Sequence, residues 1–235
     1  MTTAKELQKS LTWEFPHIGK AEPAAKTEAF AYCEGYKDFL NEGKTEREFA
    51  ATAVELLQAD GYEPLDLTKS YKPGDKVYFV NRGKSLAMST FGTAPLEKGV
   101  RLNAAHIDSP RLDLKPNPVY EKNEIAYFKT HYYGGIRKYQ WVTTPLAMHG
   151  VIVKKNGEVV KVSVGEQPGE PQFCVTDLLP HLGAKQNERK LSDGIRGEEL
   201  NIVIGSLPFV DESEKDEVKN AVKLTALSLL NQMYG

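Results

Sequence analysis

The chain has 235 residues, of which 40% are hydrophobic and 26% charged, a composition typical of a globular protein with one or two domains. Its formal charge of -2 excludes the strong basic field that nucleic acids and anionic membranes attract, so we expect neither partner. No apolar stretch approaches the roughly 20 residues that span a bilayer, and the first ten residues are too polar for a signal peptide. Cys33 and Cys174 lie far apart and fit a reducing compartment, so we expect a cytoplasmic protein.

Two helices are predicted in the first third of the chain. Apolar and aromatic residues recur at helical spacing over residues 24–40, and the sequence after them ends the helix at Gly43. Thr45 and Glu48 have the spacing of a capping box, and the helix that they begin is expected to stop at Gly61. We expect this helical hairpin to pack on a sheet.

Three strands are predicted next. Residues 76–81 and 84–90 flank a short turn at Arg82-Gly83, which is typical of a β-hairpin. A third apolar strand, residues 99–105, leads directly into His106. Helices followed by a series of strands favour an α/β layer with helices on a mixed sheet.

The sequence after Pro110 is mostly strand-like. Residues 111–115 alternate strictly, and we expect Pro116 and Pro118 to stop that strand. Strand-rich sequence follows over residues 119–133 until Gly134-Gly135 breaks it. The Asn156-Gly157 pair predicts a second hairpin, and residues 199–205 predict a later strand.

Helical spacing returns near the C-terminus, where Ser213 is a candidate cap. The apolar positions of this last helix are Val218, Val222, Thr225, Leu229 and Leu230. The changes of periodicity near Pro110 and Pro208 predict three segments. Residues 1–110 and 209–235 would form an α/β part, and residues 111–208 a β-rich module.

The most informative segment for chemistry is His106-Ile107-Asp108-Ser109-Pro110, which follows the predicted strand 99–105. Open α/β sheets place their sites at the carboxyl ends of strands, and residues two apart on an extended chain share a face. A metal-binding imidazole commonly has its second nitrogen held by a carboxylate, so His106 is a candidate metal ligand and Asp108 its orienting acid. A histidine hydrogen-bonded to a turn aspartate, with no metal, explains the spacing as well.

The other candidates are weaker. We interpret His17, His131, His149 and His181 as structural or solvent-exposed, because none has a partner at metal-ligand spacing. Glu198 and Glu199 diverge on a strand and are interpreted as a solvated strand start rather than a catalytic pair. The sequence contains no phosphate loop, dinucleotide fingerprint or G-x-S-x-G elbow.

Two motifs together resemble a known family. Ala105-His106-Ile107-Asp108-Ser109-Pro110, followed by Lys115-Pro116, resembles the H-T-D-S-P…K-P signature of the aspartyl aminopeptidase and vacuolar aminopeptidase I family of zinc metallopeptidases. The Tyr133-Gly134-Gly135 run, followed by Trp141, Leu146 and Gly150, resembles the Y-G-G…W…L…G stretch of the same family.

The resemblance implies a fold and a function. It implies a phosphorylase/peptidase-like α/β domain holding two zinc ions, with an inserted β-rich dimerisation domain, and dimers that assemble into a dodecamer. His106 matches the first zinc ligand. Asp108 matches the aspartate that orients this histidine, and we count it with the catalytic residues. The implied activity is removal of N-terminal amino acids from peptides, with two metals polarising the scissile carbonyl and a glutamate taking a proton from water.

The sequence also departs from the family. Family members are about twice as long, and their other metal ligands and general base lie in a half that has no counterpart among these residues. A family histidine associated with the neighbouring subunit's site is replaced by Tyr139. We therefore expect the front portion of a longer enzyme, a split subunit, or an inert assembly module that dimerises through its β-rich middle. A small-ligand binding domain is a third hypothesis, which leaves the spacing of His106 and Asp108 unexplained.

Overall fold

The structure is a computed structural model that describes residues 2–13, 15, 17–210 and 218–235. The chain forms two compact units. Unit 1 comprises Met1–Lys44 and Glu48–Pro95, and unit 2 comprises Thr45–Arg47 and Leu96–Gly235. No described helix is both long and apolar enough to cross a bilayer.

Unit 1 is mainly helical with a small sheet. Its helices are α1 (Ala4–Leu11), α2 (Pro23–Glu42) and α3 (Glu46–Ala59), whose first two residues belong to unit 2. Its sheet has the order β1-β2-β3, with β1 (Glu63–Pro64) parallel to β2 (Lys76–Asn81) and β3 (Ser85–Thr90) antiparallel to β2. The two helices and the hairpin predicted from the sequence are confirmed, whereas α1 was missed.

The hairpin forms where the turn chemistry requires it. Arg82 and Gly83 both have positive φ, at 55° and 65°, a conformation that glycine adopts without cost. The paired strands then bury Val77 and Tyr78. This turn was predictable because its signal is local.

Helix α2 exposes two of the aromatic residues that recur at helical spacing over residues 24–40. Phe30 and Tyr36 are 71% and 54% exposed. The contact with α3 is made instead by Phe39, whose ring meets Phe49 edge to face with centroids 4.8 Å apart. Gly43 permits this approach, because a Cβ there would lie 3.3 Å from the Phe49 Cα.

Unit 2 is built on antiparallel strands. Its elements are β4 (Arg111–Lys122), β5 (Ile125–Tyr133), β6 (Met148–Val153), β7 (Val159–Val164), β8 (Cys174–Val175), α4 (Ala184–Asn187), β9 (Ile202–Gly205) and α5 (Ala221–Tyr234). A four-stranded sheet has the order β4-β5-β9-β8, and β6 pairs with β7 as a separate hairpin. The molecule is thus a mixed α/β protein, and the hairpin around Asn156-Gly157 is confirmed.

Two strand predictions were wrong. Residues 99–105 form no strand, and Val100 and Leu102 are 71% and 83% exposed. A strand needs a neighbour to satisfy its backbone groups, and no described strand pairs with this segment. Pro116 and Pro118 do not stop β4, because β4 is an edge strand and its register shifts between Leu114 and Val119, where missing N–H donors are tolerated.

The core of unit 2 lies against β5 and β9. Its buried side chains are Phe128, Val175, Ile195, Leu200 and Ile202. Trp141 and Leu146, which carried part of the family resemblance, are partly buried against this cluster. The buried hydroxyl of Thr130 donates to the carbonyl oxygen of Leu200 and ties β5 to the segment before β9. β5 is therefore firmly anchored up to the residues that precede Tyr133.

Helix α5 packs on the same sheet, with contacts to β4, β5 and β9. The predicted cap, Ser213, lies outside the described residues, and Asn220 precedes the helix without a side-chain cap. The Glu121 carboxylate on β4 instead accepts a hydrogen bond of 2.8 Å from the backbone N–H of Lys223. A remote acid thus satisfies one of the helix's free N-terminal donors. The domain boundaries near Pro110 and Pro208 stay predictions.

Candidate functional site

The candidate site begins in the extended segment that precedes β4. The Nδ1 atom of His106 lies 3.1 Å from the main-chain carbonyl oxygen of Asp108 and 3.7 Å from its Oδ1. The structure therefore brings the two predicted residues together, with the carbonyl rather than the carboxylate at hydrogen-bond distance. The His106 side chain is 86% exposed, and its Nε2 has no partner among the described residues. An imidazole that donates from Nδ1 has a free lone pair on Nε2.

Asp108 is held from the other side by Tyr133. The Tyr133 hydroxyl at the end of β5 donates to Oδ2 of Asp108 over 2.6 Å. This hydrogen bond lowers the pKa of Asp108, with smaller contributions from a backbone hydrogen bond and the charges of His106 and Arg111. It raises the pKa of Tyr133 in return. Asp108 therefore remains an anion and Tyr133 a neutral donor around neutral pH.

Arg111, the first residue of β4, braces this arrangement. Its guanidinium carbon lies 4.3 Å from the centroid of the Tyr133 ring, a cation–π contact. Its Nε donates to Asp113 over 2.7 Å, and one terminal nitrogen lies 3.0 Å from Oε1 of Glu46. The ring that holds Asp108 is thus itself held in place.

Sequence reasoning missed the roles of Tyr133 and Arg111. The signal for Tyr133 was present, because Tyr133-Gly134-Gly135 ends a strand with a tyrosine followed by two turn residues. The sequence did not reveal that Arg111 on β4 pairs with Tyr133 on β5. This register places the Tyr133 hydroxyl next to Asp108.

A zinc ion implied by the resemblance needs about three protein ligands. His106 can serve as one of these ligands, because its exposed Nε2 carries no proton when Nδ1 donates to the Asp108 carbonyl. Over residues 2–13, 15, 17–210 and 218–235, however, no three His, Cys, Asp or Glu side chains come together as a ligand set. The described residues therefore provide one candidate ligand and its orienting group.

Three of the other four histidines have local contacts. His149 Nε2 lies 2.9 Å from Oε1 of Glu166, and the His131 ring stacks on Tyr132. His17 accepts a hydrogen bond from the N–H of Gly19. His181 is exposed.

The adjacent residues Glu198 and Glu199 form ion pairs with different cationic side chains. They lie in a 3-10 helix, Gly197–Glu199, rather than at a strand start. Glu198 pairs with Lys115 at 2.9 Å and Lys129 at 3.4 Å, whereas Glu199 pairs with Arg189 at 3.0 Å. That they are not a catalytic pair stays a prediction, whereas the interpretation as a strand start was wrong.

Comparison with curated proteins gives a consistent result. A probable M18 family aminopeptidase 1 of Clostridium acetobutylicum is 49% identical over 211 residues, covering 88% of this chain and 44% of that protein. The corresponding protein of Borreliella afzelii is 44% identical over 210 residues, with 89% and 45% covered. The chain thus spans about half the length of the curated relatives that it matches.

Solved structures agree with this. An M18 family aminopeptidase from Thermotoga maritima is 40% identical with a TM-score of 0.83, covering 95% of this chain and 48% of that one. The mApe1 dodecamer of S. cerevisiae matches with a TM-score of 0.58 over 85% of this chain and 43% of that one, and its 20% identity shows a shared fold alone. The sequence profile of the aminopeptidase I zinc metalloproteases (M18) matches residues 39–235. With the H-x-D segment and the Tyr-Gly-Gly turn in contact, and with this match over most of its length, the chain belongs to the M18 family.

Proposed function

We propose that this chain forms the N-terminal portion of a zinc-dependent aminopeptidase that removes N-terminal amino acids from peptides. The observation that carries the proposal is the family match over residues 39–235, which includes the His106–Asp108 segment. The relatives, about half of whose length the chain covers, are named probable aminopeptidases. The activity is a proposal for the complete protein that carries this segment.

The described residues have separate tasks in this proposal. His106 would be one ligand of a site holding two zinc ions, binding through its exposed Nε2. Asp108 would keep the proton of the imidazole on Nδ1 through its carbonyl, while its carboxylate adds negative charge 3.7 Å away. When bound, zinc polarises a carbonyl oxygen and lowers the pKa of a bound water. The remaining ligands and the general base would come from the part of the relatives that this chain does not match.

Zinc content and peptidase activity of the complete protein test this proposal. We expect release of N-terminal residues from amino-acid amides. That activity should be lost on treatment with a chelator and recovered when zinc is added back, because in this proposal His106 takes part in the reaction only by binding zinc. A complete protein that binds no zinc and hydrolyses no amide would contradict it. Activity that persists after chelation would exclude the metal's role.

The alternative is a catalytically inert assembly module or split subunit. One observation favours it, since the described residues contain no three-ligand cluster. A protein that forms a stable oligomer but binds no zinc would support this alternative.

Both cysteines are free thiols, which supports a cytoplasmic location for either function.

We further propose that residues 111–208 make the contact of a homodimer, which assembles into a larger oligomer. The aromatic run Tyr127, Phe128, Tyr132 and Tyr133 in this segment suggests such a surface from the sequence, but it is only partly available because Phe128 is buried in the core. Three leucines close together in this segment are 55% to 63% exposed, and their apolar side chains could contribute to such a contact. They are Leu178, Leu179 and Leu182.

We expect sedimentation of the 235-residue chain to show a dimer that Leu179→Asp weakens, because a carboxylate on an apolar contact must be desolvated. Leu67→Asp is the matched control, because Leu67 is 89% exposed and lies in unit 1. A chain that stays monomeric at high concentration would exclude the dimer. A dimer that responds equally to both substitutions would place the contact elsewhere.

A further inference from the structure

The Tyr-Gly-Gly turn has no assigned role in the proposed function, yet it lies beside the H-x-D segment and contacts it through Tyr133. Tyr133 and Asp108 are 25 residues apart in sequence, and their side chains meet at 2.6 Å. The next residue, Gly134, lies against Pro110, because a Cβ built on Gly134 would be 3.4 Å from the Pro110 Cγ. Tyr133 thus contacts one residue of the H-x-D segment directly, and the backbone of Gly134 passes close to another.

The conformation of Gly134 is part of this contact. Its φ is +84°, in the region that side chains other than glycine's rarely adopt. The turn is closed by a hydrogen bond of 3.1 Å from the N–H of Ile136 to the Gly134 carbonyl. The chain therefore turns immediately after Tyr133, which leaves the phenol beside Asp108 and the glycine backbone beside Pro110.

The two carboxylate oxygens of Asp108 face different side chains. Oδ2 accepts from Tyr133, while Oδ1 lies 3.7 Å from Nδ1 of His106. The Tyr133 ring cannot swing away freely, because Arg111 lies over its face and is tied to Asp113 and Glu46. The contacts run from a braced strand end, through Asp108, to the imidazole.

We infer that Tyr133 and Gly134 form a clamp that positions His106, by holding Asp108 and Pro110 so that the Asp108 carbonyl and Oδ1 stay turned towards the imidazole. Tyr133 is a positioning residue in this inference, since it reaches the imidazole only through Asp108. The clamp itself is independent of metal. Its consequence for zinc rests on the proposed function.

Nuclear magnetic resonance on the 235-residue chain tests the clamp without any metal. Tyr133→Phe is expected to lower the backbone order parameters of Ile107 and Asp108 from about 0.85 to below about 0.6, and to change the ring-nitrogen shifts of His106 as its tautomers mix. Tyr132→Phe is the matched control, because the described residues give the neighbouring hydroxyl no hydrogen bond. A folded Tyr133→Phe chain with unchanged order parameters and ring shifts would overturn the inference.

A second pair of variants tests the glycine. Gly134→Ala is expected to loosen the same segment, because alanine is strained at a φ of +84°. Gly135→Ala is expected to leave it unchanged, since a Cβ there meets nothing within 4 Å. Equal behaviour of these two variants would contradict a role for Gly134.

A third measurement remains informative if Tyr133→Phe fails to fold. In a chain with labelled tyrosine rings, Asp108→Asn is expected to shift the Cζ resonance of Tyr133 and not that of Tyr132. An unshifted Tyr133 resonance would show that the contact is absent.

Zinc affinity in the complete protein, measured by competition with a chelator, separates the clamp from the proposed function. We expect Tyr133→Phe to weaken zinc binding about 10-fold, the lower end of what outer partners of metal ligands cost, and Tyr132→Phe to leave it unchanged. Zinc affinity that Tyr133→Phe does not change would overturn the effect of the clamp on zinc binding while leaving the proposed function intact. A clamp seen in the 235-residue chain, with no zinc bound by the complete protein, would overturn the proposed function and leave the clamp standing.

Discussion

His106→Ala is expected to abolish one metal site and the aminopeptidase activity of the complete protein. The substitution removes the exposed Nε2 nitrogen, and alanine offers no replacement ligand. A site that holds its metal with about three protein ligands cannot lose one and keep its geometry. The measurement is zinc content together with hydrolysis of amino-acid amides. His181→Ala, at another exposed histidine, is the control and should retain both.

Asp108→Asn is a graded companion to that variant. It keeps the main-chain carbonyl that faces Nδ1 of His106 but removes the negative charge 3.7 Å from the ring. We expect zinc affinity to fall by about 10–100-fold, the range for changes in the groups that surround a metal-binding histidine, because the ring loses the neighbouring carboxylate charge. Full activity in His106→Ala, or a tightly bound zinc elsewhere in this chain, would show that the assignment of His106 is wrong.

Leu200→Ala is expected to destabilise unit 2 by about 2–5 kcal/mol, the usual cost of truncating a buried leucine. The Leu200 side chain is fully buried, at 0% exposure, among Phe128, Val175 and Ile202. Its backbone is also held, because its carbonyl accepts the Thr130 hydroxyl, so the surroundings have little freedom to collapse into the cavity.

Denaturant unfolding followed by the fluorescence of Trp141 measures this loss. Trp141 packs against the same cluster, whereas the second tryptophan, Trp13, is 76% exposed in unit 1. Leu207→Ala is the matched control, because Leu207 is 76% exposed and should change the free energy of unfolding by less than about 0.5 kcal/mol. Equal midpoints for the two variants would mean that Leu200 is not part of a tightly packed core.

The sequence predicted best where the physical signal is local. The Arg82-Gly83 and Asn156-Gly157 turns were found because few residues adopt positive φ, and both hairpins form around them. Helices α2 and α3 were found from side-chain periodicity. In both cases a few neighbouring residues contain the information.

Predictions that depended on distant partners were less accurate. Residues 99–105 have the apolar pattern of a strand, but a strand forms only when another segment satisfies its backbone. The prolines of β4 are tolerated because that strand lies at the edge of its sheet, and strand order is not visible in the strand's own sequence. The face of α2 that contacts α3 was likewise set by the partner, Phe49, rather than by the helix's own pattern.

The candidate site divides in the same way. The sequence by itself determined that His106 and Asp108 belong together, because two residues on one short extended segment are neighbours whatever the rest of the chain does. Only the tertiary structure decided that Tyr133 holds Asp108 and that Arg111 braces the phenol. These contacts depend on the β4–β5 register, in which Arg111 faces Tyr133, and on the positive φ of Asn123 and Glu124 in the connecting turn. Register is a property of paired strands, so it appears only when both have folded against each other.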